Sequence, residues 1–260
     1  MESTSTSSGA MINHSLAWFG DLGSFSWRVI CAAITRPFEL REIVRQFDEI
    51  GSKSLPLVAL AGAAIGTVLA LESRASLVRF GAESMLPAAI VFSIVHEMGP
   101  LVTGLVVSGR VGAGIGAELG SMKVTEQIDA MEASAVNPYK LLAFTRILAC
   151  IVVLPLLTLI TDFFGVFAGW VAETVVQPIS LQHFLDKGFA SVNFADFLAP
   201  TFRTSVFGLI IGLVACFQGM RSQGGTEGVG RSATSSVVLS SLFVILADVI
   251  LVKVILIVFP

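Results

Sequence analysis

Long apolar segments constrain the fold of this chain more than any other feature of its sequence. Five of them can be assigned as spans, at 55–71, 84–109, 144–172, 201–220 and 232–259. Each is near the roughly 20 residues that a helix needs to cross the hydrocarbon core of a bilayer. Apolar and polar residues do not alternate along these segments, as they do in membrane barrels. The pattern therefore predicts an all-α polytopic membrane protein with five transmembrane helices.

The low charge content supports the same fold class. Only 13% of the 260 residues are charged, which is roughly half of the share that is typical of a soluble domain. The formal net charge is −3, so no basic excess is present to attract a nucleic-acid backbone. These values exclude an ordinary cytosolic enzyme, a nucleic-acid binder and a disordered chain.

The distribution of basic residues predicts the orientation. Eleven of the 16 Lys and Arg residues precede the first span or lie in the loops after the second and fourth spans. Because basic residues are enriched in cytoplasmic loops, the N-terminus is predicted in the cytoplasm and the C-terminus on the opposite side.

The chain is divided into a short N-terminal tail and one long domain. Residues 1–26 are predicted as a flexible tail, and 27–260 as a single domain. Within the domain, 27–53 is predicted as an interfacial segment. Its amphipathic helix covers 36–50, with Pro37 in the first turn and Gly51 at the end. Residues 173–200 form the predicted outer segment, which has room for a short amphipathic helix.

Acidic residues inside the spans are candidates for function. His96-Glu97 resembles the start of a zinc-protease motif, but Pro100 stands where the second histidine is needed, so no metal site is expected. Glu97 lies at membrane depth, where carboxylates face protein or a water-filled path. For Glu97, two roles remain open: a polar lining of a substrate path or a proton relay, and a paired or protonated acid that holds helices together. The second, structural role is favoured for Asp162 and Asp248.

A stripe of small residues at the end of the second span predicts close helix packing. Its members, spaced by four, are Ser108, Gly112, Gly116 and Gly120. No Gly-Lys pair occurs in the sequence, so the chain has no Walker A loop for nucleotide phosphates. If ATP drives this protein, a separate subunit must bind it.

The cytoplasmic segment 118–136 has the pattern of a short amphipathic helix. Acidic residues occupy one side (Glu126, Asp129 and Glu132), and another side carries Ile128, Met131 and Ala135. Thr125 is a candidate cap and Pro138 a stop. Such a helix is a docking element for a soluble partner, although a surface helix without a partner has the same pattern.

These motifs together resemble the MlaE/YrbE permeases over roughly residues 35–258. The central block comprises His96-Glu97-Met98-Gly99-Pro100, Gly109-Arg110, Gly112, Ala117-Glu118-Leu119-Gly120, Met122, Thr125-Glu126-Gln127, Met131 and Asn137-Pro138, followed by 228–234. The chain departs from the family at position 96, where the family often has Arg, and at 137, where it often has Asp.

The resemblance implies a homodimeric permease within an ABC transporter that moves phospholipid between the inner and outer membranes of Gram-negative bacteria. The implied partners are two ATPase subunits that hold ATP and Mg²⁺, a periplasmic MCE-domain protein and, in many systems, a STAS-domain protein. This chain itself would carry no cofactor. It would span the inner membrane many times, with a periplasmic C-terminus.

The resemblance also implies two groups of site residues. Segment 118–136 becomes a coupling helix in the groove of the ATPase, with the candidate contacts Glu118, Thr125, Glu126, Asp129 and Met131. A lipid cavity between two copies would involve Leu69, Leu77, Val78, Phe80, Glu97 and Arg203. For Arg203, binding of a phosphate and anchoring at the membrane interface are both compatible with the sequence.

A proton-coupled secondary transporter that uses Glu97, Asp162 and Asp248 is the alternative function. Such transporters are often built from internal repeats, and no internal repeat is found in this sequence. An intramembrane hydrolase is less compatible, because no nucleophile–base pair can be assembled.

Overall fold

The computed structural model describes the backbone of residues 3–34, 39–190 and 194–258. Every regular element in these ranges is helical. The α-helices are α1 (Ser3–Ile34), α2 (Leu40–Arg79), α3 (Leu86–Ser93), α4 (Gly99–Val107), α5 (Ala113–Val124), α6 (Gln127–Ala133), α7 (Thr145–Val176), α8 (Leu181–Phe189), α9 (Phe194–Met220) and α10 (Gly225–Val258). The protein is an all-α polytopic membrane protein, as predicted.

Five helical stretches within the described ranges are long and apolar enough to cross a membrane. They comprise Leu40–Arg79, Glu83–Val124, Tyr139–Val176, Phe197–Met220 and Gly225–Val254. Four of the five contain a predicted span in full, and the fifth, Gly225–Val254, covers the predicted span 232–259 up to Val254. Most extend beyond the predicted span at one end or both, because helical hydrogen bonding continues past the point where the apolar composition ends.

Helix α2 corrects the prediction of a separate interfacial helix at 27–53. It runs without a break from Leu40 through Gly51 and Pro56 to Arg79. Its buried stripe, which recurs every three or four residues, consists of Ile43, Gln46, Ile50, Ser54, Val58, Gly62, Gly66 and Ala70. Continuous packing of this stripe, chiefly on α7, outweighs the helix-ending tendency of one glycine. The predicted Pro37 start lies outside the described residues.

Helix α1 corrects the prediction of a flexible tail at 1–26. The helix covers Ser3–Ile34, and Phe25 and Val29 belong to the main hydrophobic core. The rings of Trp18 and Phe25 pack edge-on against Phe217 of α9, with centroids 5.5 and 5.6 Å away. Burial of these aromatic side chains stabilises helix in a segment whose Ser- and Thr-rich start favours coil.

The second span is not a regular α-helix. It contains two π-helical turns, Ile94–Met98 and Ser108–Gly112. The first ends where the backbone N–H of Gly99 donates to the carbonyl of Ile94. Pro100 follows at the start of α4, so the wider turn accommodates a proline that would break a regular helix. Such turns are frequent at functional sites.

The predicted small-residue stripe packs against serines of the last span. Ser232 Oγ of α10 donates to the carbonyl of Gly116 at 3.1 Å, and Ser108 Oγ lies 2.6 Å from Ser241 Oγ. An added Cβ at Gly120 would lie 2.7 Å from Ser232 Oγ. The stripe therefore brings α5 and α10 into close contact, as the spacing by four predicts.

The segment between the third and fourth spans contains the predicted short amphipathic helix, α8, which Ser180 caps through its side chain. Its Phe184 is fully buried in a second core cluster with Leu86, Ile90 and Val91. Nearby, Arg74 of α2 forms an ion pair with the buried Glu173 of α7. The C-terminal ends of the first and third spans are thus held together.

Candidate functional site

A buried ion cluster lies where the second, fourth and last spans meet. Arg203 of α9 is its centre: Nη2 lies 3.5 Å from Glu97 Oε2, and Nη1 lies 3.4 Å from Asp248 Oδ1. Arg203 Nη2 also donates to the carbonyl of His96 at 2.9 Å. One guanidinium therefore contacts three groups on two elements that are distant from it in sequence, the first π-helical turn and α10.

Local backbone geometry presents the acceptors to Arg203. His96 and Glu97 lie in the first π-helical turn. The backbone hydrogen bonds of such a turn join residues i and i+5, which leaves some carbonyl groups free to accept from other donors. The guanidinium also lies 6.0 Å from the ring centre of Phe207 on the same helix, within range of a cation–π contact.

The cluster is open on one side only. The side chains of Arg203 and Asp248 are 2% and 6% exposed, whereas that of Glu97 is 40% exposed. The structural pairing favoured for Asp248 is confirmed, but its partner was not predicted. Arg203 is not a free interfacial anchor: it is buried by its acidic partners.

Asp162 lies apart from these ion pairs. It is buried, and neither carboxylate oxygen has a hydrogen-bond partner among the described residues. Oδ1 lies close to Gly99, where an added Cβ would overlap it. Asp162 also contributes to the wall of an otherwise apolar cavity of about 450 Å³ beside α8. Of the structural role predicted for Asp162, a paired or protonated acid, the described residues supply no hydrogen-bond partner for the pairing.

The four candidate lipid contacts of the first span lie towards the C-terminal end of α2. Leu69 and Leu77 are partly buried against the second core cluster. Val78 and Phe80 are exposed, and Phe80 is the C-terminal cap of the helix. The structure therefore joins Glu97 with Arg203, and places these four as a separate apolar group.

The segment 118–136, which was predicted to be cytoplasmic, is not the single helix that the pattern predicts. It consists of the end of α5, a turn at Thr125-Glu126 and the short helix α6. Glu126, rather than Thr125, is the residue before α6, and it has a left-handed φ of 60°. The Thr125 hydroxyl instead donates to the carbonyl of Ser121 at 2.8 Å, so it closes the preceding helix.

Helix α6 presents acidic side chains to its surroundings and is anchored by apolar ones. Ile128 is buried in the main core, and Met131 packs against that core. Glu126, Asp129 and Glu132 are exposed, and Lys123 Nζ lies 2.6 Å from Asp129 Oδ1. Ala135, which was predicted on the apolar side, is exposed and ends the segment with a φ of 60°.

Residues 43–254 match the family model described as Permease MlaE. The chain belongs to this family. A probable ABC transporter permease protein of Rickettsia felis is 38% identical over 229 residues, which are 88% of each protein. A probable ABC transporter permease protein of Synechocystis is 31% identical, covering 80% of this chain and 79% of the relative.

A plant protein is also similar. TRIGALACTOSYLDIACYLGLYCEROL 1, chloroplastic, of Arabidopsis thaliana is 29% identical over 224 residues, which are 86% of this chain and 64% of that protein. Helix α1, which packs into the core of this MlaE permease, lies outside the residues that the family model matches.

Glu118 is tied to the third span of this MlaE permease. Its carboxylate lies 2.8 Å from Nη2 of Arg146, a side chain that is 1% exposed and donates through Nη1 to the carbonyl of Leu142 at 2.9 Å. Glu118 itself is half-exposed. The predicted coupling residue thus links the end of α5 to the start of α7.

Unequal burial of this pair leads to unequal mutational effects. We expect Arg146→Met to lower the stability of the MlaE permease less than Arg146→Ala, because Met fills the buried volume and Glu118 can be hydrated. Glu118→Gln should cost more than Arg146→Met, because it leaves the buried guanidinium without its carboxylate. The stability of each variant is measured by thermal unfolding of the purified chain, with the folded fraction followed by size-exclusion chromatography. A greater loss of stability in Arg146→Met than in Arg146→Ala or in Glu118→Gln would contradict this account.

Proposed function

We propose that this chain is the transmembrane permease subunit of an ABC transporter that moves phospholipid between the inner and outer membranes of a Gram-negative bacterium. The observation that carries the proposal is the match to the MlaE permease model over residues 43–254. Two kinds of relative support it: proteins named as ABC transporter permeases, and a chloroplast protein named after a galactosylated diacylglycerol.

The proposed assembly divides the work between different chains. Two copies of the permease span the inner membrane, and two ATPase subunits bind ATP and Mg²⁺ on the cytoplasmic side. A periplasmic MCE-domain protein receives or delivers lipid, and a STAS-domain protein joins the complex in some systems. The N-terminus is cytoplasmic and the C-terminus periplasmic, in accordance with the positive-inside distribution.

In this proposal, the ion cluster is the polar part of the lipid path. A headgroup meets Glu97 first, because Glu97 is the exposed member of the cluster. Its phosphate then replaces the Glu97 carboxylate on Arg203, while Asp248 stays paired with the same guanidinium. Leu69, Leu77, Val78 and Phe80 supply apolar surface for acyl chains, which need no polar partner.

The exposed acidic surface of α6 is the proposed contact with the ATPase. Glu126 and Asp129 lie outward, whereas Ile128 and Met131 fix the short helix to the permease core. Motion of the ATPase can therefore pass to the spans through a rigid contact. Glu118 contributes through its ion pair with Arg146.

Reversal of one charge tests this contact. We expect Glu126→Lys to lower the recovery of ATPase subunits with tagged permease by about tenfold, since like charges across an interface oppose docking. Lysine and glutamate have similar conformational free energies at a positive φ, so the substitution changes the turn itself little. Glu39→Lys, another exposed acid on the same side of the membrane, is the matched control. Equal recovery from the two variants would contradict the proposed contact.

The whole proposal is tested by mass spectrometry of the proteins and lipids that purify with the tagged chain. An ATPase, an MCE-domain protein and phospholipid are expected together. A proton-coupled transporter predicts instead that the chain alone, in proteoliposomes, transports in response to a pH gradient. The ion pairs of Glu97 and Asp248 with Arg203 favour the permease, because both acids already have a structural partner.

A further inference from the structure

A polar cleft separates the first two spans on the side of the N-terminus. It has a volume of about 610 Å³, within the range of ligand sites in proteins. Its walls come from α2 and from the end of the second span, and are formed by Arg45, Gln46, Glu49, Ile50, Arg110, Val111, Gly114, Ile115 and Glu118. Neither the ion cluster nor the acidic surface of α6 contributes to these walls.

The cleft lies at the depth of lipid headgroups. The apolar part of the first span begins at Leu55, and that of the second span ends at Gly109. The wall residues 45–50 and 110–118 lie just beyond these two limits, so the cleft borders the hydrocarbon core where headgroups begin.

Arg110 is the distinctive cation of this cleft. The carboxylates of the cleft have other partners, since Glu49 pairs with Lys53 at 2.5 Å and Glu118 with Arg146 at 2.8 Å. Arg45 is paired with Glu42 at 2.9 Å. Among the described residues, Arg110 donates only to neutral acceptors, Ser54 Oγ at 2.7 Å and the Glu49 carbonyl at 3.4 Å. No carboxylate among the described side chains is within ion-pair distance of it.

The floor of the cleft is apolar. Ile50, Val111 and Ile115 are buried side chains, and an added Cβ at Gly114 would meet no atom within 4 Å. An apolar floor beneath an arginine with no acidic partner suits a molecule with a phosphate and an adjoining apolar part. Basic pockets between spans on the cytoplasmic side bind anionic headgroups in the same way.

We propose that this cleft binds the phosphate group of a phospholipid from the cytoplasmic leaflet, with Arg110 as the phosphate ligand. The leaflet follows from the proposed orientation of the chain, but binding does not depend on transport. A chain that moved no lipid would still bind one here, so a failure of the proposed transport function leaves this site to be tested by itself.

The test uses the purified full chain in dodecyl maltoside micelles, which have no phosphate. The probe is phosphatidylethanolamine with a photoreactive diazirine on its amine, and the labelled peptides are identified by mass spectrometry. Adducts are expected in 45–50 and 110–118. Arg110→Gln should lower their yield about tenfold, which is the effect of one lost charge-assisted hydrogen bond.

Two further variants control for charge and folding. Arg231→Gln removes an exposed cytoplasmic-side arginine outside the cleft, and should leave labelling of the two segments unchanged. Arg110→Lys keeps the charge and should retain most of the labelling, even where Arg110→Gln does not fold. Labelling that persists in folded Arg110→Gln, or that is lost equally in Arg231→Gln, would overturn the proposal.

Competitors distinguish a lipid from a free anion. Unlabelled phosphatidylglycerol should suppress the adducts, whereas diacylglycerol, which has no phosphate, should not. Inorganic phosphate at millimolar concentration should compete weakly, because it cannot occupy the apolar floor. Competition by diacylglycerol equal to that by phosphatidylglycerol, or equal competition by inorganic phosphate, would overturn the assignment to a phospholipid.

Discussion

Replacement of Arg203 by methionine is expected to destabilise the folded protein by about 3–5 kcal/mol, because two carboxylates then lose their cation. Loss of the cation destabilises the Asp248 carboxylate most, because Asp248 is almost fully buried, whereas Glu97 is partly exposed to solvent. The measurement is thermal unfolding of the purified chain in detergent, compared with Arg203→Lys. Lysine retains the charge but cannot bridge both acids and the His96 carbonyl with a planar fork, so a smaller loss is expected.

The double variant Arg203→Met with Asp248→Asn isolates the buried pair. Removal of both charges should restore part of the stability, because replacement of a whole buried ion pair costs much less than removal of one partner. Asp248→Asn alone should lower the free energy of unfolding more than Glu97→Gln alone, because Asp248 is the more deeply buried partner of Arg203. If the effects of Arg203→Met and Asp248→Asn simply add, the two groups are not coupled, and the ion cluster is not the unit described above.

Substitution of Gly66 by alanine is expected to abolish stable packing between the first and third spans. A Cβ at this position would overlap the carbonyl oxygen of Gly165 in α7, and a backbone oxygen has no flexible end that can move aside. The two helices would have to separate, which costs about 1–3 kcal/mol for a moderate overlap and more when backbone is involved. The expected result is aggregated or unstable protein in size-exclusion chromatography.

The matched control for this variant is Gly51→Ala on the same helix. An added Cβ at Gly51 would lie 3.5 Å from Val153 Cγ1, an ordinary contact. Since alanine is favoured over glycine in a helix by about 1 kcal/mol, this control should be neutral or stabilising. Equal instability of the two variants would show that α2 tolerates no change, and would remove the evidence for a specific contact at Gly66.

Some site residues could be found from the sequence, because their chemistry is unusual for their position. A carboxylate at membrane depth is conspicuous by itself, so Glu97 is a candidate site residue, and Asp248 a candidate structural acid, without any knowledge of the fold. The acidic side of α6 follows from spacing in the same way. In the sequence, Arg110 is only one residue of a longer motif. The structure shows that it donates to the Ser54 hydroxyl and the Glu49 carbonyl, with no acidic partner among the described side chains.

Other features could not be predicted, because they depend on partners far away in the chain. The aromatic residues of α1 are helical where they pack on Phe217, which is about two hundred residues later in the sequence. Thr125 has the chemistry of a helix cap, but the turn that α5 and α6 require places Glu126 at that position. Local preferences are weak compared with such tertiary contacts.

The sequence by itself determined that this chain crosses a membrane five times as helices. That result depends on apolar length, a local property, because backbone groups in lipid must be bonded within their own segment. Only the tertiary structure decided that Arg203 is shared by Glu97 and Asp248, that α2 is one continuous helix, and that Arg110 faces a cleft without an acidic partner. Each depends on which helix faces meet, and close packing of small residues between spans sets those faces.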